Sequence, residues 1–292
     1  GLKRGLNVDD FAGRISFNFD IFGNLFEQVA KFRAARRLWA RLMRDEFGAQ
    51  KPGTMQMKMI AGGGGGGLTI EEPENNIVRG AYYALISALS GAQTMALCCF
   101  DEAYTIPSEK ASLISLRTMQ ILAEEMGLGD TVDPLAGSYY VEWLTSEMER
   151  RIVAEMKRVD QEMGGILRAV SEGAVQREVA HQALKVERGI QDGTIPKVGV
   201  NRYQAREERR EVALHEYKTE QAEESIRRTN EVRAARNREA VDTALAKMRE
   251  AATSGQNVMP AMMEAVRAYA TLGEITRTLK QVFGVFREPV RL

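Results

Sequence analysis

Three short apolar runs, each followed by a stretch with helical periodicity, constrain this chain more than any other feature. The runs are RISFNF (14–19), TMQMKMIA (54–61) and QTMALCCF (93–100), each about the length of an ordinary strand. After the first, Leu25, Phe26, Val29, Phe32, Trp39, Leu42 and Met43 recur at helical spacing, with Lys31, Arg33, Arg37, Arg41 and Arg44 off that face. After the second, a helix is expected from Glu74 to Leu89, with Pro73 suited to its first turn. After the third, one is expected from Ser108 to Met126, entered through Pro107. Repeated strand–loop–helix units imply parallel strands covered by helices, in an α/β barrel or a doubly wound sheet. The runs alternate little, so the expected strands are buried on both faces.

From about residue 141 the character changes. Charged helices are expected over 141–163, 166–190 and about 205–252, with one extended interlude, KVGVNRY (197–203). The segment from Glu207 to Leu245 is mixed in charge and sparsely apolar, and no heptad is sustained, so it reads as a solvated helix or helix pair. The terminal MPAMMEAVRAYATLGEITRTLKQVFGVF is amphipathic and should dock on a core. Two regions are therefore expected, 1–140 with the strand–helix units and 141–292 mainly helical. Three units cannot close a barrel of eight, and the expectation is that the chain is the later part of something larger.

Composition removes several function classes. With 40 basic against 40 acidic residues the net charge is zero, without the basic excess of a nucleic-acid binder. No apolar run has the length of a membrane span, and GLKRGLNVDDFAGR lacks the apolar centre of a signal peptide. The two cysteines, Cys98 and Cys99, are sequence neighbours, a poor geometry for a disulfide, which suggests a reducing, cytoplasmic setting. His181 and His215 lie in polar helical segments without metal-ligand partners at useful spacing, and no metal site is expected.

Six consecutive glycines, Gly62–Gly67, follow the second run. Such a run satisfies GxGxxG trivially. The acidic residue that a dinucleotide site wants some way on is replaced by Gly80, Ala81, Tyr82 and Tyr83, and no Lys-Ser/Thr follows as in a phosphate loop. Met57, Met59 and Ile60 lead in and Leu68 and Ile70 lead out, which is not a linker. The remaining reading is a strand-to-helix loop whose backbone needs positive φ or close approach to a ligand, at the C-terminal mouth of a parallel sheet.

Several blocks together resemble one family. RISFNFDIFGNLFEQVAKFRAARRLWARLM, LTIEEPENNIVRGAYYAL, FDEAYTIPSEKASLISLRT, DTVDPLAGSYYVEWLT, VGVNRY and AYATLGEITRTLKQVFG are similar, in order, to the large subunit of adenosylcobalamin-dependent acyl-CoA mutases of the methylmalonyl-CoA mutase type. The resemblance implies the C-terminal strands of a (β/α)8 barrel followed by a mainly helical C-terminal region. It implies an isomerase that rearranges the carbon skeleton of an acyl-CoA thioester by a radical route, with CoA along the barrel axis and the corrin across the strand C-terminal ends.

Residue by residue, Arg14 and Ser16 match positions that contact the CoA part, an Arg being suited to phosphate or carboxylate. Glu102 matches a carboxylate beside the cobalamin, and Gly62, Gly65 and Gly66 fall in the loop that meets the corrin. The family's Arg-x-His-x-Gln-x-x-Gly-Trp pattern is replaced here by Lys58, Ile60, Gly62, Gly65 and Gly66, so only Gly65 agrees, and QSLHTN is replaced by Gln93–Cys98. Small or apolar groups thus stand where the family has polar ones, and an acyl group bulkier or more apolar than methylmalonyl is expected in room lined by Gly62, Gly66, Ala96 and Cys98.

The family's general-acid His and radical-shielding Tyr fall upstream of residue 1, and no Asp-x-His-x-x-Gly cobalt-ligand motif is present. The resemblance therefore implies a small cobalamin-binding subunit and the remaining N-terminal barrel half as partners, and no turnover by this chain alone. The alternative is a non-catalytic mutase-like subunit or fragment with a structural role.

Overall fold

The computed structural model describes residues 1–205 and 214–288. Part of each run forms a strand, the three parallel and in sequence order: β1 (Ser16–Asp20), β2 (Lys58–Gly63) and β3 (Thr94–Leu97); Thr54 and Met55 of the second run are helical, and residues 98–100 of the third lie beyond β3. In register, Ser16 lies beside Lys58 and Asp20 beside Gly62, and Gly62 beside Ala96. A short helix, α1 (Val8–Phe11), precedes β1; α2 (Leu25–Arg41) and α3 (Pro52–Met55) join β1 to β2; α4 (Asn75–Leu89) joins β2 to β3. Then come α5 (Glu109–Glu124), α6 (Tyr139–Glu162), α7 (Ile166–Ser171), α8 (Ala174–Gln191), α9 (Thr219–Ala235), α10 (Arg238–Thr253), α11 (Met259–Arg267) and α12 (Leu272–Phe283).

Local chemistry sets these boundaries. Asn24 caps α2 by accepting from the Glu27 N–H at 3.1 Å, Ser108 caps α5 through Ala111, and Thr271 with Glu274 forms a capping box on α12. Past Arg41, α2 widens into a π-turn over Leu42–Glu46. Of the expected helix over about 205–252, residues 206–213 lie outside the described residues, 214–218 are not helical, and the rest is α9 and α10, broken at Arg236 and Asn237.

The strands are not buried on both faces, as expected from their sequence. Burial alternates: Phe17, Phe19, Met59, Ala61 and Leu97 join a core with Val29 and Phe32 from α2 and Tyr83, Ala84 and Ile86 from α4. Ser16, Asn18, Asp20, Lys58, Thr94 and Ala96 are exposed on the other face. The helices cover one side only, and the polar and small residues of RISFNF were the sign of it.

Several arginines off the apolar stripe of α2 reach α6, Arg33 largely covered and Arg37 and Arg41 exposed. Arg33 donates to Glu142 at 2.7 Å and Thr145 at 3.2 Å and pairs with Asp133, while Arg37 and Arg41 both engage the buried Glu149 of α6. Helix α2 is held between the sheet and α6. The chain divides into two compact units, Gly1–His215 and Glu216–Leu292. The sequence boundary at 140/141 lies within the first unit, because α6 packs on α2 there. In the second unit α10, α11 and α12 bury Ala244, Met248, Ala265 and Ile275.

Candidate functional site

The exposed sheet face has two ends. At the C-terminal end of the strands, the mouth, β2 runs through Gly63 into a turn in which Gly64 adopts φ +75° and Gly65–Gly67 form one 3-10 turn closed by the Gly67 N–H to Gly64 O bond of 2.8 Å. Three of the six glycines are demanded by packing. A Cβ on Gly63 would strike the backbone of Ala96 and Cys98, one on Gly64 the Tyr83 ring and Ile21 O, and one on Gly67 the Tyr83 hydroxyl. The other three are those assigned to the cofactor from sequence. A Cβ on Gly62 would lie 3.3 Å from Phe19 O, on Gly65 3.5 Å from Cys98 Sγ, and on Gly66 3.8 Å from the Phe22 ring. Gly65 and Gly66 are exposed.

The turn is pinned from several directions. Asp20 Oδ1 accepts from the Gly64 N–H at 2.9 Å and the Ile21 N–H at 3.0 Å. Asn76 accepts from Thr69 N and donates to Thr69 O and Phe100 O. Arg79 donates to Thr69 Oγ1 and Asn76 Oδ1, each at 2.8 Å, and to Val198 O at 2.7 Å. The KVGVNRY segment thereby reaches the turn, and its Lys197 donates to Gly67 O at 2.8 Å. Burial lowers the Lys197 ammonium below its ordinary pKa, and neighbouring Arg79 adds to the shift.

Glu102 is exposed at this end and accepts from the Cys99 N–H at 2.7 Å. Cys98 stands beside it, half-buried, its thiol pushed up to about 11 by burial, then by the Glu102 carboxylate and by Asp20. Gly62, Gly65, Ala96, Cys98 and Glu102 are thus gathered at the mouth. Lys58 is not: it opens β2 at the opposite end, so the segment matched to a loop over the corrin is strand up to Gly63.

That opposite end, the foot, holds Arg14 and Ser16. Arg14 ends a 3-10 turn before β1, is exposed, and rims a hollow of about 550 Å³ with Asp9, Asp10, Lys51, Thr54 and Lys58. Ser16 lines an adjoining cleft of about 870 Å³ with Arg36, Lys58, Gln93 and Thr94. Arg36 donates to the Ser90 and Gly91 carbonyls; burial lowers its guanidinium pKa, and nearby Arg33 adds to that, while the Asp133 carboxylate works the other way. Lys58 donates to Gly13 O at 2.5 Å. Sequence reasoning missed Arg36, Asp20 and Lys197; the alternation Ser16–Asn18–Asp20 was the signal available for Asp20. Foot and mouth are separated by one strand, roughly 16–20 Å, so a ligand touching Arg14 and Glu102 together must be long and run along the strands.

The family described as methylmalonyl-CoA mutase matches residues 1–285. The chain belongs to the methylmalonyl-CoA mutase family. Among its relatives are the 2-hydroxyisobutanoyl-CoA mutase large subunit of Aquincola tertiaricarbonis, 40% identical over 98% of this chain and 51% of that protein, and the methylmalonyl-CoA mutase of Cereibacter sphaeroides, 39% identical over 99% and 41%. The mitochondrial methylmalonyl-CoA mutase of Homo sapiens is 34% identical over 97% of this chain and 38% of its own length. The chain thus spans about half, or less, of these mutases. Among the described residues, no helix is long and apolar enough to cross a membrane.

Proposed function

We propose that this chain supplies three strand–helix units of the (β/α)8 barrel of an adenosylcobalamin-dependent acyl-CoA mutase, an isomerase that rearranges the carbon skeleton of a CoA thioester by a radical route. The observation that carries the reading is the exposed sheet face. Around Ile60 at its middle, the face carries Ser16, Asn18, Gly62, Thr94 and Ala96, too small to fill a barrel interior, which is ordinarily packed with bulky branched side chains. They leave a lane from a foot where Arg14, Arg36, Lys51 and Lys58 outnumber Asp9 and Asp10 to a glycine turn at the mouth. Arg14, Arg36 and Lys58 suit the phosphates of CoA, and Ser16 offers a hydroxyl beside them.

The residues at the mouth fit a corrin. Gly65 and Gly66 present exposed backbone without side chains, a surface that a large flat ring can approach, and Glu102 lies at the same end. Adenosylcobalamin, when bound, supplies the radical that starts the rearrangement. What this chain contributes is position: the foot anchors the CoA end, the lane orients the thioester, and the turn, pinned by Asp20, Asn76, Arg79 and Lys197, keeps a fixed surface over the reacting end. The cobalt ligand would come from a small cobalamin-binding subunit, and the other strands from the remaining barrel half.

Ile60, Gly62 and Gly66 in place of larger polar groups leave room for an acyl part bulkier or more apolar than methylmalonyl. The same loss of polar groups supports a second reading, a non-catalytic mutase-like subunit. The assembled enzyme with adenosylcobalamin, offered branched, aromatic and short dicarboxylic acyl-CoA esters, separates them. Rearranged product from a branched or aromatic ester is expected; methylmalonyl-CoA as best substrate by kcat/KM would refute the enlarged pocket, and no product from any ester would favour the second reading.

A further inference from the structure

The exposed face is polarised in charge as well as in size. Its foot carries Arg14, Arg36, Lys51 and Lys58 beside Asp9 and Asp10, whereas the acyl end carries Asp20 and Glu102, with Lys31, Arg79 and Lys197 each bonded to protein oxygens there. Asp20 has two parts to play there. Its Oδ1 is committed to the Ile21 and Gly64 N–H groups, which ties the end of β1 to the glycine turn. Its Oδ2 has no hydrogen-bond partner among the described residues, and the residue lies in register with Gly62, on the exposed face. A Cβ on Gly62 would come within 3.4 Å of Asp20 Oδ1, so the carboxylate sits directly beside the position expected to admit the acyl group. The Lys31 ammonium on α2 donates to the Asp20 main-chain oxygen at 2.8 Å and to Gln28 at 2.6 Å, and it also feels the Asp20 charge, which it offsets in part. At Cys98, burial is the first cause opposing ionisation of the thiol, and the Glu102 and Asp20 carboxylates add to it.

We infer that Asp20 is a positioning and specificity-determining residue: one carboxylate oxygen fixes the glycine turn, and the charge turns away acyl groups that carry a free carboxylate, so that the acyl part accepted is uncharged. The inference rests on the proposed mutase reading. It goes beyond the size of the pocket, because a bulky dicarboxylic ester would fit by volume and still be refused. At a separation of about 6 Å and an intermediate effective dielectric, two carboxylates disfavour each other by roughly tenfold to a hundredfold in binding.

The test uses the assembled enzyme and two CoA esters of similar size, isobutanoyl-CoA and methylmalonyl-CoA, with binding and kcat/KM measured for each. Asp20→Asn keeps an acceptor for the Gly64 N–H and removes the charge. It is expected to shift the preference at least about tenfold toward methylmalonyl-CoA and to move the pH profile of Cys98 alkylation to lower pH. Asp20→Ala is expected to do this and also to speed amide exchange at Gly64, which Asp20→Asn leaves slow. An unchanged ester preference in Asp20→Asn overturns the specificity role, and unchanged exchange at Gly64 in Asp20→Ala overturns the positioning role. If the unaltered enzyme binds neither ester, the mutase reading itself falls and this inference with it, an outcome distinct from binding both with an unmoved ratio.

Discussion

Gly63 and Gly66 stand three residues apart in one turn and answer to different constraints. Gly63 has the backbone of β3 against it, so Gly63→Ala forces the strands apart and is expected to cost roughly 1–3 kcal/mol or more, read from denaturant unfolding. Gly66 does not have positive φ, and a Cβ there would make only ordinary contact with the Phe22 ring at 3.8 Å, so Gly66→Leu should leave stability within about 0.5 kcal/mol. Its side chain would project onto the surface proposed for the corrin, and the assembled enzyme should retain less cobalamin on gel filtration. Full retention would remove Gly66 from that surface. At the foot, Arg14 has no hydrogen bond or ion pair among the described residues and is free to meet a ligand. Arg14→Ala is expected to weaken CoA-thioester binding by about 1.5–3 kcal/mol, one charge-assisted hydrogen bond. Unchanged KM and kcat would make it a rim residue.

At the scale of elements, the second unit offers a titration. Glu274 completes the capping box of α12 and receives the Arg236 guanidinium at 2.5 and 2.8 Å. These bonds hold its carboxyl at about 2, against an ordinary value of 4.5. Because the folded-state value is depressed, the stabilisation is complete above the ordinary value and is lost as pH falls from about 4.5 toward about 2. It amounts to at most about 3 kcal/mol, reduced by solvent screening of a pair near the surface. Protection of the α12 amides, taken relative to their intrinsic exchange at each pH from 6 to 2, should fall in this window, and Glu274→Gln should flatten the dependence. The amphipathic character of that helix was legible in sequence, while its Thr271–Glu274 capping box was not read from it. Also legible were the three strands and the helices between them, since their periodicity is local. The role of α2's arginines was not, because Glu142 and Glu149 lie more than a hundred residues away and nothing along the chain pairs them. The sidedness of the sheet was half legible: Ser16 and Asn18 alternate with Phe17 and Phe19, yet MKMIAGG gives little contrast between its faces. At the site, Gly62, Gly65 and Gly66 could be nominated by resemblance, but sorting them from Gly63, Gly64 and Gly67 required knowing that Tyr83 and β3 stand behind the latter.

At the scale of the whole molecule, an exposed sheet face and two free strand edges decide what the 292-residue chain can do by itself. Radical rearrangement requires a reacting centre closed to water and side reactions, while Ser16, Asn18, Asp20 and Ala96 are open here. β1 and β3 each pair on one side only among the described residues, which leaves rows of unpaired N–H and C=O groups ready to recruit another strand. Near the mouth, Phe22, Phe26, Tyr140 and Trp143 add exposed aromatic surface, with Tyr140 contacting both Phe26 and Trp143. The isolated chain is therefore expected to be catalytically silent with added adenosylcobalamin, whichever acyl-CoA is offered, and to self-associate or bind a hydrophobic dye. Light scattering and dye fluorescence check the second part, and a coupled turnover assay the first. A well-behaved monomer with a single cooperative unfolding transition would mean that the exposed face is stable in water as it stands. Turnover by the chain alone would mean that the reacting centre is enclosed by means other than the rest of a barrel, and the proposed division of labour between this chain and its partners would have to be abandoned.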